Sequence, residues 1–289
     1  MSLNLSTAFV AAYTERAKAA YQKGARLGGT VREVTGVVGS THRFDVYGKI
    51  TAPLHIPNSP VTFTNPTVSV ATATLADYSP AILTDKFDQQ KIRWDEVMMS
   101  ADAIGKALGR RKDQIVIDAM TNATPSNTIA YNDSSMANNA FNVGRLRYAK
   151  SLLDDDGVDE GDRHIAVRAD ALRQLLGSTA ATSHDYAAVK SLVNGEVNTF
   201  LGFKFHTIET RTEGGLPLNT GTRYYAYAWH KEAVGYAEGI GPQIEIARET
   251  QYRSRAVYGD LSAGAVVIEA DGWVEIEYDS AVAVNLNEA

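Results

Sequence analysis

Apolar positions recur at helical spacing in some stretches of the chain and alternate in others. Over residues 7–24, Phe9, Val10, Tyr13, Ala17, Ala20 and Tyr21 fall three and four apart and Gly24 offers a stop, which predicts an amphipathic helix. A lone helix of this kind needs a second surface for its apolar face. The clearest helix covers 95–122. Val97, Ala101, Ile104, Leu108, Ile115, Ala119 and Met120 form its stripe, and Asp95 and Glu96 suit the positive end of its dipole. Gly105 and Gly109 lie inside it, each costing about 1 kcal/mol relative to Ala, and read as points of close packing, of bending or of a break. Shorter helices are expected over 144–156, with Leu146, Leu152 and Leu153 inward, and over 169–177 and 185–193.

Residues 25–42 are rich in Gly, Val and Thr and read as an extended arm. From 43 to 84 the pattern is strand. Phe44, Val46, His55 and Ile56 flank a Pro- and Asn-rich connection, and over 67–74 Val68 and Val70 point opposite to Thr67, Ser69 and Ala71. A two-stranded hairpin with so few large apolar residues does not stabilise itself in water, so it implies a neighbour. The polar stretch 123–142 reads as a loop. Strands are expected over 163–168, 203–208, 224–229, 243–248, 264–269 and 273–278, the last with Val274, Ile276 and Tyr278 on one face. The mixed block 143–232 reads as a unit with a small core of its own.

Composition narrows the function more than the fold. The 289 residues, 44% hydrophobic and 21% charged, describe an ordinary folded chain with a net charge of −6. No Cys is present, which removes disulfide scaffolds, thiolate metal sites and cysteine nucleophiles. No apolar run approaches the roughly 18 residues of a membrane span, and Met-Ser-Leu-Asn-Leu-Ser-Thr lacks a signal-peptide layout, so no membrane partner is expected. The acidic balance argues against a dedicated nucleic-acid reader. Charge is uneven: residues 1–50 are mostly basic, whereas no Lys or Arg follows Arg255 and seven acids do. These opposite ends could attract within one chain or between neighbours, or be two solvated surfaces.

Catalytic motifs are missing. Neither Gly-x-Ser-x-Gly, nor a phosphate-binding loop, nor Gly-x-Gly-x-x-Gly, nor His-Glu-x-x-His occurs, and the six His are scattered. The acidic run Asp154–Asp162 fails as a calcium loop, with Val158 at its fifth position, Asp159 at its sixth and Ile165 at its twelfth. This absence of a catalytic constellation favours a structural protein, with no cofactor and no metal.

The order of elements then resembles the major capsid proteins of tailed double-stranded-DNA bacteriophages, with the Hong Kong 97-like fold, over roughly residues 30–280. The resemblance rests on the Gly/Val-rich arm, the hairpin, the long helix, and the stretch Ser151-Leu-Leu-Asp-Asp-Asp-Gly-Val158 followed by Arg163-His-Ile-Ala-Val167 and Ala171-Leu-Arg-Gln-Leu-Leu176. Phe200-Leu-Gly-Phe-Lys-Phe205, Ala228–Ala237, and Arg253–Gly264 with Ala265-Val-Val-Ile268 continue it, and the texture looks closest to short-tailed phage coats.

The resemblance implies an α+β subunit with an N-terminal arm (1–40), an extended hairpin loop (41–78), a peripheral domain carrying the spine helix (79–142), an inserted axial domain (143–232) and closing strands of the peripheral domain (233–289). It implies hexamers and pentamers closing into an icosahedral shell around double-stranded DNA, with a portal protein as partner and the virion capsid, assembled in the host cytoplasm, as location. Some relatives carry a long N-terminal scaffolding segment; residues 1–30 are too short for it, so a separate scaffolding protein is expected. Candidate assembly contacts are Arg43, Asp45 and Lys49 on the hairpin, Arg110, Arg111 and Lys112 on the spine helix, and Arg253 and Arg255 near the closing strands. The rival readings are an encapsulin-type compartment shell, a ring-forming tail or head-completion protein, and a carboxylate-dependent hydrolase built on Asp154–Asp162.

Overall fold

The computed structural model describes residues 24–58, 60, 63–85, 87, 95–133, 138–177, 199–211 and 213–282. The helices expected over 7–24 (Gly24 apart) and 185–193 lie outside the described residues. In chain order the elements are β1 (Arg32–Thr35), β2 (Thr41–Tyr47), β3 (Val68–Thr74), β4 (Ala76–Tyr78), β5 (Ala81–Asp85), α1 (Glu96–Asn122), β6 (Asn127–Ile129), α2 (Val143–Asp155), β7 (Arg163–Val167) and α3 (Ala169–Leu176). There follow β8 (Thr199–Phe200), β9 (Phe203–Thr207), β10 (Arg223–His230), β11 (Val234–Glu249), β12 (Ser254–Val267) and β13 (Trp273–Asp279).

Helix α1 starts where a side chain can satisfy its first amides: the Asp95 carboxylate accepts from the backbone N–H groups of Val97 and Met98 at 3.1 and 3.2 Å. It runs unbroken through both glycines. A Cβ on Gly109 would sit 2.8 Å from the backbone nitrogen of Ala25, so this glycine admits a close chain crossing; at Gly105 the nearest atom is the Ile244 side-chain tip, at 3.4 Å. Ile104, Leu108, Val116, Ile117 and Met120 are buried.

Two sheets flank this helix. The five-stranded sheet is dominated by the long β11–β12 hairpin, with β1 parallel to β11 on one side and β4 and β5 on the other edge of β12. The six-stranded sheet has the order β6-β13-β10-β7-β9-β8. Strand alternation gives it two buried faces. Ile165, Val167, Ala226, Ala228, Val274, Ile276 and Tyr278 meet Leu146, Leu153, Ala171 and Leu175 of α2 and α3. Ala166, Tyr227, Trp229 and Trp273 turn the other way, into a core shared with α1, Tyr236 of β11 and Val257 and Leu261 of β12.

Two sequence expectations differ from the structure. The block 143–232 is not self-contained: β10 pairs with β7 on one side and with β13 on the other, so its sheet is completed from residues 273–279. The polar stretch 123–142 contributes β6, parallel to β13, and buries Ile129 and Phe141. Residues 25–42, read as an extended arm, are tied to the body: β1 adds to the five-stranded sheet, and Leu27 and Val31 are buried in the core that α1 shares. The single-face alternation read in β13 is what the structure has.

One buried cation ties the loop before α2 to the six-stranded sheet. The guanidinium of Arg145 donates to the carbonyl oxygens of Ala130, Tyr131, Asn138, Ala140 and Glu277, all within 3.4 Å. A fully buried charge is tolerable when its donors are satisfied in this way.

Candidate assembly surfaces

The β2–β3 hairpin stands off both main sheets as a two-stranded ribbon. Its base is anchored because Gly235 leaves room for the Phe44 ring (a Cβ there would lie 2.7 Å from it) and because Ala73 and Ala237 close over that ring. Beyond the base nothing in the described chain covers it. Opposed across the strands are Arg43 and Thr72, Asp45 and Val70, Tyr47 and Val68, all on the outward face apart from the base. Tyr47, Val68 and Val70 are exposed there, and the connection carries Leu54 at 90% and Phe63 at 91% exposure. Isolated exposed apolar residues are ordinary, but here several are concentrated on one arm. The valines read as one face of β3 are indeed on one face, and that face looks outward.

The basic triplet on α1 is engaged inside the chain. Arg110 forms a forked ion pair with Glu213, its Nε and Nη2 3.1 and 3.0 Å from Oε1. Burial pushes the Glu213 carboxyl up, but its hydrogen bond and charge pairing with Arg110 hold it below its ordinary range. The Arg111 guanidinium lies 5.0 Å from the Tyr78 ring centre, and Lys112 sits 3.4 Å from Glu238 and 3.7 Å from Glu33 and 4.6 Å from the Tyr236 ring centre. All three members of the triplet thus have partners within the chain.

The next residue along α1 is a group that sequence reasoning missed. Asp113 is fully buried and accepts from the backbone N–H groups of Arg26 and Leu27, at 2.9–3.0 Å, and from Arg211 at 3.2 Å. Burial pushes its carboxyl up, with the two amides and Arg211 pulling the other way. Next to it, Gln114 accepts from the Gly215 amide at 2.7 Å and so ties Gly215 to the helix. A signal was present: Asp113 stands four residues after Gly109 on the buried side of the helix, where a carboxylate needs donors.

These features of an anchored body, an outward apolar arm and ion pairs closed within the chain were compared with known proteins. A family model described as phage capsid protein matches residues 5–280. This chain belongs to the phage capsid protein family. It is thus a shell-forming coat protein of the virion capsid. Among solved structures, the capsid of cyanophage P-SCSP1u is similar at 16% identity, covering 92% of this chain and 91% of that one, with a TM-score of 0.72. The acid-stable capsid of Helicobacter pylori bacteriophage KHP30 is similar at 11% identity, 92% and 94% coverage and a TM-score of 0.73. The capsid of Ralstonia phage GP4 aligns over 96% of both chains at 11% identity and 0.68. At such identities the likeness is one of fold. No curated protein matches this chain.

The remaining candidates fall on two parts of the capsid subunit. Lys49 donates to the carbonyl oxygen of Asp156 at 2.9 Å, tying the start of the hairpin connection to the end of α2. Arg253 occupies the turn between β11 and β12 with φ 50°, and Arg255 stands opposite Arg248 across that hairpin. Like charges directly opposed are unfavourable, and all three arginines are exposed. The acidic run is largely paired: Asp154 with Arg163 at 2.6 Å, Glu160 with Lys150 at 3.3 Å, Asp162 with Lys204 at 2.6 Å, and Asp156 accepts from Asn127 at 2.6 Å. Among the described residues no group of three or more His, Asp or Glu is placed to hold a metal ion.

Proposed function

We propose that this capsid protein assembles as hexamers and pentamers into an icosahedral shell around double-stranded DNA, as a Hong Kong 97-like subunit. In that reading the α2–α3 side of the six-stranded sheet belongs to the axial domain, and α1 with the β11–β12 hairpin to the peripheral domain. The β2–β3 hairpin is the extended loop laid over a neighbour. One observation carries the reading: among the described residues nothing covers Tyr47, Val68 and Val70 on the outward face of that hairpin or Leu54 and Phe63 on its connection. Fully burying a side chain such as Leu or Phe is worth roughly 1.5–3 kcal/mol, so seating Leu54 and Phe63 alone supplies several kcal/mol per contact. Head-to-tail contacts of this type close into rings when the rotation permits.

Arg43 and Asp45 on the hairpin and Arg253 and Arg255 at the far turn supply opposite charges that set register. The subunit acts without chemistry of its own, and closure is non-covalent. A separate scaffolding protein sets curvature, a portal protein takes one vertex, and assembly occurs in the host cytoplasm. DNA is held by non-specific phosphate contacts, with cations offsetting the net charge of −6.

Negative-stain electron microscopy and light scattering on the purified chain, with and without co-expressed scaffolding protein, test this reading. Closed shells tens of nanometres across support it, and packaged DNA separates a phage coat from an encapsulin-type compartment. A stable monomer or small ring under both conditions refutes it.

A further inference from the structure

The segment 25–31 forms a strap across α1 and the six-stranded sheet, held at two points. At one end the Asp113 carboxylate takes the amides of Arg26 and Leu27. At the other the Trp229 indole donates to the Thr30 carbonyl oxygen at 2.9 Å. Leu27, at the first point, and Val31, just past the second, are both buried. Against the same Trp229 lie two imidazoles, His164 of β7 and His206 of β9, with ring centres 6.0 and 6.5 Å from the indole. His164 Nδ1 and His206 Nε2 are 3.1 Å apart, and His164 is 5% exposed. A hydrogen bond between two imidazoles needs one of those nitrogens to be a free acceptor, so it does not survive protonation of both rings.

We propose that the His164–His206 pair is an acid-sensitive release for the strap 25–31: protonation of the pair breaks its hydrogen bond, draws in water beside Trp229 and frees the segment from the subunit body. The surroundings set the direction. From the strap Arg26 acts on His206, from β9 Lys204 acts on both rings, and from the turn after β10 Lys231 acts on His164. The anion that faces them among the described residues, Asp162, is already paired with Lys204. Burial and these cations hold His164 near 4 instead of 6.5 and push His206 down as well. Opening hydrates the rings and removes Arg26, restoring more ordinary values. Acid therefore favours the open strap. Asp113 works against release, since burial in the closed state raises its carboxyl. The inference concerns the single subunit and stands apart from the proposed assembly.

If His164 alone moves from about 4 to 6.5 on opening, the opening equilibrium rises about 20-fold between pH 7 and pH 5. Hydrogen exchange on the full-length chain, corrected for the intrinsic rate, reads this directly. The expected result is a 20-fold loss of protection in residues 25–31 over that range while peptides from β10 stay protected. His164→Gln/His206→Gln should reduce the response below about threefold, and His206→Gln alone, which leaves the more buried ring in place, should reduce it partly. Asp113→Asn should weaken the strap at pH 7 and steepen its acid response. Constant protection of the strap, loss in step with β10, or a full response in the double variant would overturn the proposal.

Discussion

Replacing Gly109 by alanine should destabilise the subunit, although alanine is the better helix former. The propensity gain is about 1 kcal/mol. Against it, the added Cβ would lie 2.8 Å from the backbone nitrogen of Ala25, closer than such atoms pack. Overfilling a packed site costs about 1–3 kcal/mol. Ala25 has little room to withdraw, because the next two amides are bound to Asp113. Stretching hydrogen bonds to a charged acceptor forfeits part of about 1.5–3 kcal/mol each. The net is a loss of about 1–3 kcal/mol. Gly105→Ala is the internal control: its Cβ would meet only the tip of Ile244 at 3.4 Å, so most of the propensity gain is realised and the variant is about 0.5–1 kcal/mol more stable. Urea unfolding of the unassembled full-length chain at pH 7, followed by circular dichroism, separates the two. A Gly109→Ala protein as stable as the parent would refute the argument that the strap crosses the helix at that point.

Other outcomes follow from the same packing. Arg145→Met should cost at least 3–5 kcal/mol, because five carbonyl oxygens lose their donors in a buried site, and soluble yield with urea midpoint checks this. Arg110→Glu should lower subunit stability by about 1–3 kcal/mol through Glu213, and the swap with Glu213→Arg should recover part of it; no recovery would remove the pair from the argument. Leu54→Ser with Phe63→Ser should leave the unfolding midpoint unchanged and abolish particle formation by light scattering. His164 has a folded value near 4, below its unfolded 6.5, so its contribution is full above pH 6.5 and falls as pH drops toward 4 by up to about 3 kcal/mol; His164→Gln should flatten that part of the stability–pH curve.

Local chemistry is where the sequence was most informative. Asp95 and Glu96 before a seven-residue apolar stripe announce α1, although Asp95 stands just outside the helix as its cap and not in its first turn. Val274, Ile276 and Tyr278 announce one face of β13. Periodicity carries no partner, however. Trp273 pairs with Trp229 across some forty intervening residues, and β1 lies parallel to β11 two hundred residues on. The strand that completes the sheet of the 143–232 block is not legible for that reason. The same holds for the candidate surface: an Arg-Arg-Lys triplet reads as a solvated face until Glu213, Tyr78, Glu238 and Glu33 are brought to it from elsewhere in the chain. Asp113, Arg145 and the His164–His206 pair also draw their meaning from distant backbone groups or a distant ring.

The position of β13 has a consequence for synthesis. A ribosome adding about 5–20 residues per second exposes the adhesive hairpin, complete at Thr74, roughly 10–40 s before it reaches Trp273, about 200 residues later. Over the last forty or so residues of that interval β10 is made but has one edge open, and a sheet closed by so late a strand folds slowly. Chains cut short anywhere in between carry the sticky arm without a finished body. Such fragments should poison growing shells, so faithful completion of translation acts as an upstream checkpoint on particle quality.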